Sequence, residues 1–83
     1  MMEDLKVKID KDSFLLIQDE VIGNGAEWVS SGNTNIEFNN VYKYLYFREK
    51  SKVLEIGIFE SSFNKDKAEQ VSVVTFIKSI KGE

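Results

Sequence analysis

A chain of 83 residues with 42% hydrophobic and 12% aromatic content is long enough for one cored domain and too short for two, and its composition excludes a disordered chain. A net charge of −3, with charged residues of both signs at 30%, supplies no basic footprint for duplex nucleic acid or for an anionic membrane. Cysteine and histidine are both absent, which removes disulfides, thiol chemistry, the commonest general base and the commonest metal ligands.

No apolar run approaches the roughly 18 residues of a membrane helix. The opening "MMEDLKVKID" carries acidic residues where a signal peptide needs positive charge, so a cytoplasmic protein is expected. Ten lysines against one arginine, with abundant Ile, Asn, Ser and Phe, fit an AT-rich coding sequence and point to a low-GC bacterium or its phage.

The first element is "LKVKID". Leu5, Val7 and Ile9 alternate with Lys6, Lys8 and Asp10, the period of a half-buried strand. "DKD" then reads as a tight turn, because Asp side chains accept from nearby backbone amides. Asn24-Gly25 is the preferred pair for a two-residue hairpin loop, whose central residues both need positive φ. It predicts strands over 14–22 and 26–30, placing Val21 opposite Trp28. Phe14 to Ile17 is continuously apolar, as in a strand covered on both faces. "SGNTN" reads as a further turn and "IEFNN" as a short strand.

"VYKYLYFREKSKVLEIGIFES" is the most patterned stretch. A short connection within "EKSK" pairs Phe47 with Leu54, Leu45 with Ile56, Tyr44 with Gly57 and Tyr42 with Phe59. One face then carries Leu45, Phe47, Leu54, Ile56 and Ile58 and has no polar atom to satisfy, so it is the expected core. The other carries Tyr42, Tyr44, Tyr46 and Phe59, with Arg48 and Glu55 among them. Such rings can be half covered while their hydroxyls reach water or a partner. Gly57 fits this register, since an aromatic across a strand glycine can lie over bare backbone.

The last segment is ambiguous by composition. Val71, Val73, Val74, Thr75 and Ile77 favour strand, but Val73, Phe76, Ile77 and Ile80 recur at helical spacing. Asn64 or Asp66 as cap, a Phe63–Ala68 staple, and Lys78, Lys81 and Gly82 at the far end favour a helix over 66–81, packed on the aliphatic face. The expected fold is α+β: a twisted antiparallel sheet of five to six strands with one C-terminal helix. An all-β small barrel or sandwich is the alternative.

Motifs for chemistry fail on inspection. Asp10 and Asp12 begin like a calcium loop, but Phe14 and Leu15 stand where an oxygen ligand and a glycine are needed. "GNG" at Gly23 to Gly25 lacks the third glycine of a dinucleotide fingerprint, with Trp28 in its place. No Walker pattern is present. Asp19 and Glu20, as strand neighbours, would point to opposite faces and could not form an acid/base pair. The expectation is therefore a protein that is not an enzyme and has no metal, no cofactor and no membrane attachment.

The tyrosine face admits a second small core under the first hairpin, a protein-binding surface, or a stacking platform for single-stranded nucleic acid with Lys43, Arg48, Lys50 and Lys52 at phosphates. A homodimer, through this face or a proline-free edge strand, is a fourth reading. The expected function is a non-enzymatic protein-binding module that inhibits or adapts a partner protein, with Tyr42, Tyr44, Tyr46, Arg48 and Phe59 as partner-binding residues. Single-stranded nucleic-acid binding is the alternative.

Overall fold

The computed structural model describes residues 3–83. The elements are β1 (Leu5–Lys8), α1 (Lys11–Val21), β2 (Glu27–Trp28), β3 (Tyr44–Arg48), β4 (Val53–Gly57), α2 (Glu60–Lys65), β5 (Glu69–Gln70) and α3 (Val73–Lys81). The fold is α+β, and its five strands form one open sheet in the order β2-β4-β3-β1-β5. It is mixed, in place of the antiparallel sheet expected: β1–β3 and β3–β4 run antiparallel, whereas β1–β5 and β2–β4 run parallel. Both parallel pairs join strands that are not consecutive in the chain, β2 with β4 across β3 and β1 with β5 across the rest of the sheet, so neither is a hairpin. Each edge strand has only two residues and carries a glutamate, Glu27 or Glu69, so neither offers a long ladder to another chain.

The central ladder has the register anticipated from alternation. Tyr44 faces Gly57, Leu45 faces Ile56 and Phe47 faces Leu54. Leu5 continues the Phe47–Leu54–Trp28 row, and Val7 continues the Leu45–Ile56 row. These side chains meet Phe14, Ile17 and Val21 of α1 and Phe76, Ile77 and Ile80 of α3 in one core on one face of the sheet. The ladder ends at Tyr44–Gly57, so the expected Tyr42–Phe59 pair does not form. Ile58, expected in the core, lies past the end of β4 and is exposed.

The largest correction concerns residues 14–22, which form α1 and not a hairpin strand. The "DKDS" stretch is a helix start. Asp10 accepts from Ser13 N–H at 2.9 Å while Asp10 N–H donates to Ser13 Oγ at 2.8 Å, a reciprocal capping box. Phe14, Ile17 and Val21 then fall on one buried helical stripe, leaving Leu15 and Leu16 exposed. Asn24-Gly25 is still in a turn, but one that joins α1 to β2.

Gln18 completes that buried face. Its Oε1 accepts from the Trp28 indole N–H at 2.8 Å and from Ile36 N–H at 2.8 Å, and its Nε2 donates to the Ile36 carbonyl at 3.2 Å. One side chain thus secures the long segment between β2 and β3. "IEFNN" within it is not a strand, and Ile36, Phe38 and Tyr42 instead pack against the main core.

The C-terminal helix is shorter than the 66–81 expected. Ser72, and not Asn64 or Asp66, is its N-cap, accepting from Thr75 N–H at 3.2 Å. Gly82 is the left-handed C-cap, and of the anticipated stripe of Val73, Phe76, Ile77 and Ile80 the last three are buried and Val73 is half-buried. Phe63 and Ala68 do not staple this helix. Phe63 belongs to α2, and Asp66 is the residue that ends α2.

Candidate functional site: the tyrosine face and its cover

Strand alternation puts Tyr44, Tyr46 and Arg48 of β3 on the sheet face away from α1 and α3, with Lys6 of β1 and Glu55 and Gly57 of β4 as neighbours. The Tyr46 ring crosses Gly57. A Cβ added at Gly57 would sit 2.7 Å from Tyr46 Cε2 and 3.2 Å from Tyr44 Cβ. The covering ring is thus Tyr46, one diagonal away, and not the directly opposed Tyr44. Gly57→Ala is expected to lose about 1–3 kcal/mol through overpacking, read as a lower urea midpoint. An unchanged midpoint would show that Tyr46 moves aside freely.

Helix α2 covers these rings. Its one buried side chain, Phe63, stacks on Tyr44 with centroids 4.3 Å apart and planes 19° apart, and contacts Tyr46 at 6.0 Å. Tyr44, Tyr46 and Phe63 make a second, smaller core. The tyrosines are 8% and 6% exposed. Burial, and next the nearby Asp66 carboxylate, hold the Tyr46 phenol above its ordinary pKa of 10.0.

Two cations tie α2 down. Lys6 is buried, with Nζ 4.6 Å from the Phe63 ring centroid, donating to the Phe63 carbonyl and, at 2.9 Å, to that of Asp66. These carbonyls lie at the C-terminal end of α2, where the helix lacks its own donors and favours positive charge. Arg48 grips Asp66 through both terminal nitrogens at 2.8 and 3.2 Å and reaches Glu55 from Nε at 3.1 Å. Asp4 adds a looser contact at 3.6 Å. Arg48 is therefore committed to its own chain's carboxylates.

The Arg48 hydrogen bonds, the largest effect on Asp66, hold its carboxyl below the ordinary value of 3.8. A carboxyl lowered by folding stabilises the fold fully above 3.8, and that contribution is lost as pH falls through the folded value. Asp10, held down by Ser13, acts in the same window. Stability is expected to drop below pH 3.8, with a shallower drop in Asp66→Asn. Identical acid slopes in denaturant titrations of the two proteins would contradict the Arg48–Asp66 tie.

The five expected partner-binding residues are thus dispersed, and of the readings of the tyrosine face the second small core is the one observed, covered by α2 and not by the first hairpin. Tyr44 and Tyr46 are under α2. Tyr42 precedes the strand, escapes its alternation, and packs on Phe14 at 5.9 Å and Phe38 at 6.1 Å in the main core. Arg48 is ion-paired. Phe59 alone is freely presented, 64% exposed at the N-cap position of α2. Ile58 beside it is 44% exposed. Val41, at the same end of the β3–β4 ladder, is 53% exposed.

Phe63, Lys6 and Asp66 were not anticipated at the site. The only cue to α2 is "ESSFNK", which has a single apolar residue and so no period to detect. An open depression of about 460 Å³ adjoins the ion pairs, lined by Asp4, Arg48, Glu49, Lys50, Asp66 and Lys67 among others. Among the described residues no group of three or more carboxylates is placed to hold a metal ion, and no helix is long and apolar enough to cross a membrane. No family model, no curated protein and no solved structure matches this chain.

Proposed function

We propose that the chain is a cytoplasmic, non-enzymatic protein-binding module of bacterial or phage origin that docks on another protein and inhibits or adapts it. The observation that carries this reading is the exposure of Phe59, with Val41 and Ile58 at the same end of the central hairpin. Phenylalanine in water forgoes most of the roughly 1.5–3 kcal/mol that burial gives, and clustered exposed apolar side chains mark interaction surfaces. The cover over Tyr44 and Tyr46 moves the proposed contact from the tyrosines to the edge of α2. Tyr44 and Tyr46 under Phe63, and Arg48 on Asp66, hold α2 in place.

The test is affinity capture from the native host, reconstitution with the purified partner, and comparison of Phe59→Ser with wild type. Phe59→Ser is expected to keep its circular dichroism spectrum and to weaken binding at least about tenfold, 1.4 kcal/mol. Leu16→Ser, on the exposed side of α1, serves as the control and should bind as wild type does. Equal affinity of wild type and Phe59→Ser would remove this surface from the proposal. Light scattering at two concentrations distinguishes a second copy of the chain from a different protein as the occupant.

A further inference from the structure

The turn between α1 and β2 brings together an exposed asparagine, a following glycine and a tightly closed backbone. Asn24 N–H and Ala26 N–H both donate to the Val21 carbonyl, at 2.9 and 3.2 Å, and Gly23 N–H donates to the Ala26 carbonyl at 2.9 Å. Among the described residues the Gly25 N–H has no hydrogen-bond acceptor. Among the described residues the Asn24 side chain makes one hydrogen bond, from Nδ2 to the Glu20 carbonyl at 3.2 Å.

We propose that Asn24-Gly25 is a self-modification site that converts to isoaspartate with water as the only co-reactant. Hydroxide takes the proton from the Gly25 backbone nitrogen, which attacks the Asn24 side-chain Cγ. A C–N bond forms, the Cγ–Nδ2 bond breaks, and Nδ2 leaves as ammonia after taking a proton from water. The product is a five-membered succinimide. Water then opens it at the side-chain carbonyl to give aspartate, or at the main-chain carbonyl to give isoaspartate. No oxidant, metal or enzyme is required.

Local sequence makes the site selective. Gly25 has no side chain to crowd its nitrogen, whereas Asn33, Asn35, Asn39, Asn40 and Asn64 precede Thr34, Ile36, Asn40, Val41 and Lys65. Tertiary structure makes the product consequential. Isoaspartate lengthens the main chain by one methylene inside a turn whose two ends, Val21 and Ala26, are buried. Gly25 also backs directly onto α3: at its φ of +117°, an added Cβ would lie 2.5 Å from the Ile80 carbonyl oxygen. The lengthened turn has no slack in that direction, and it adjoins the Glu20–Lys81 ion pair at 2.8 Å that links the ends of α1 and α3. The turn therefore acts as a chemical clock on the α1–α3 packing.

The test incubates the purified full chain at mildly alkaline and mildly acidic pH and maps its peptides by mass spectrometry over time. Residue 24 is expected to gain the mass of exchanging NH for O ahead of every other asparagine, faster at the higher pH, with isoaspartate reported by isoaspartyl methyltransferase labelling. The isolated isoaspartate form should melt below both the starting protein and Asn24→Asp, which carries the same charge without the extra methylene. Asn24→Gln, which cannot close the five-membered ring, should keep its melting temperature through the same incubation. Conversion of Asn24 no faster than of Asn39 or Asn64 would overturn the site. Equal melting of the isoaspartate form and Asn24→Asp would overturn the coupling to α3.

Discussion

Phe63→Ala is expected to lower the unfolding free energy by about 3–5 kcal/mol, the usual cost of truncating a fully buried phenylalanine. Phe63 has no exposed surface and is the only buried residue of α2. Its loss removes the stack on Tyr44, a pair of the kind worth about 0.5–1.5 kcal/mol beyond area burial. It also leaves Lys6 facing an empty space where an aromatic ring had been. A helix of six residues cannot persist on backbone hydrogen bonds alone, since isolated helices below about 12–15 residues are marginal. The variant should therefore lose near-UV circular dichroism from Tyr44 and Tyr46, and amide exchange over residues 60–66 should accelerate. A loss under about 1 kcal/mol, with α2 still protected, would mean that Lys6 and the Arg48–Asp66 pair suffice to hold the cover.

Gln18→Leu is expected to be the second most damaging change, although leucine is of similar size and more hydrophobic. The substitution leaves the buried Trp28 indole N–H without its acceptor and strips Ile36 of partners for both N–H and C=O. A buried polar group left unsatisfied costs about 1–3 kcal/mol, and water can relieve the part-buried Ile36 more easily than the indole. Trp28 is the only tryptophan, so its fluorescence reports the site directly. Its emission should shift in Gln18→Leu and the denaturation midpoint should fall. Adding Trp28→Phe should cost less in the Gln18→Leu background than in wild type, because both partners of one hydrogen bond are then gone. Strict additivity would argue against the Gln18–Trp28 bond as the source of the loss.

The two variants probe opposite faces of one sheet, and together they describe how the candidate surface is built. Gln18 holds the segment that carries Tyr42 and Val41 against the main core. Phe63 holds α2, whose N-cap presents Phe59. If the proposed docking surface is correct, each of these buried residues supports one of the segments that present its exposed apolar side chains, without touching a partner.

Local periodicity was sufficient for the strand faces of β3 and β4, their mutual register, and the buried stripe and glycine cap of α3, because each is decided between residues close in the chain. The α1 helix was open to the same reasoning through Asp10 and Ser13. The adjacent Leu15 and Leu16 blurred its period, and Asn24-Gly25 competed with a hairpin signal. Only the tertiary structure decided what covers the tyrosines. Lys6 bonds to carbonyls 57 and 60 residues away, and Phe63 is a lone apolar residue in its helix. Such contacts have no spacing to read, because their free energy comes from desolvation and hydrogen bonding between segments that meet only once the sheet has formed.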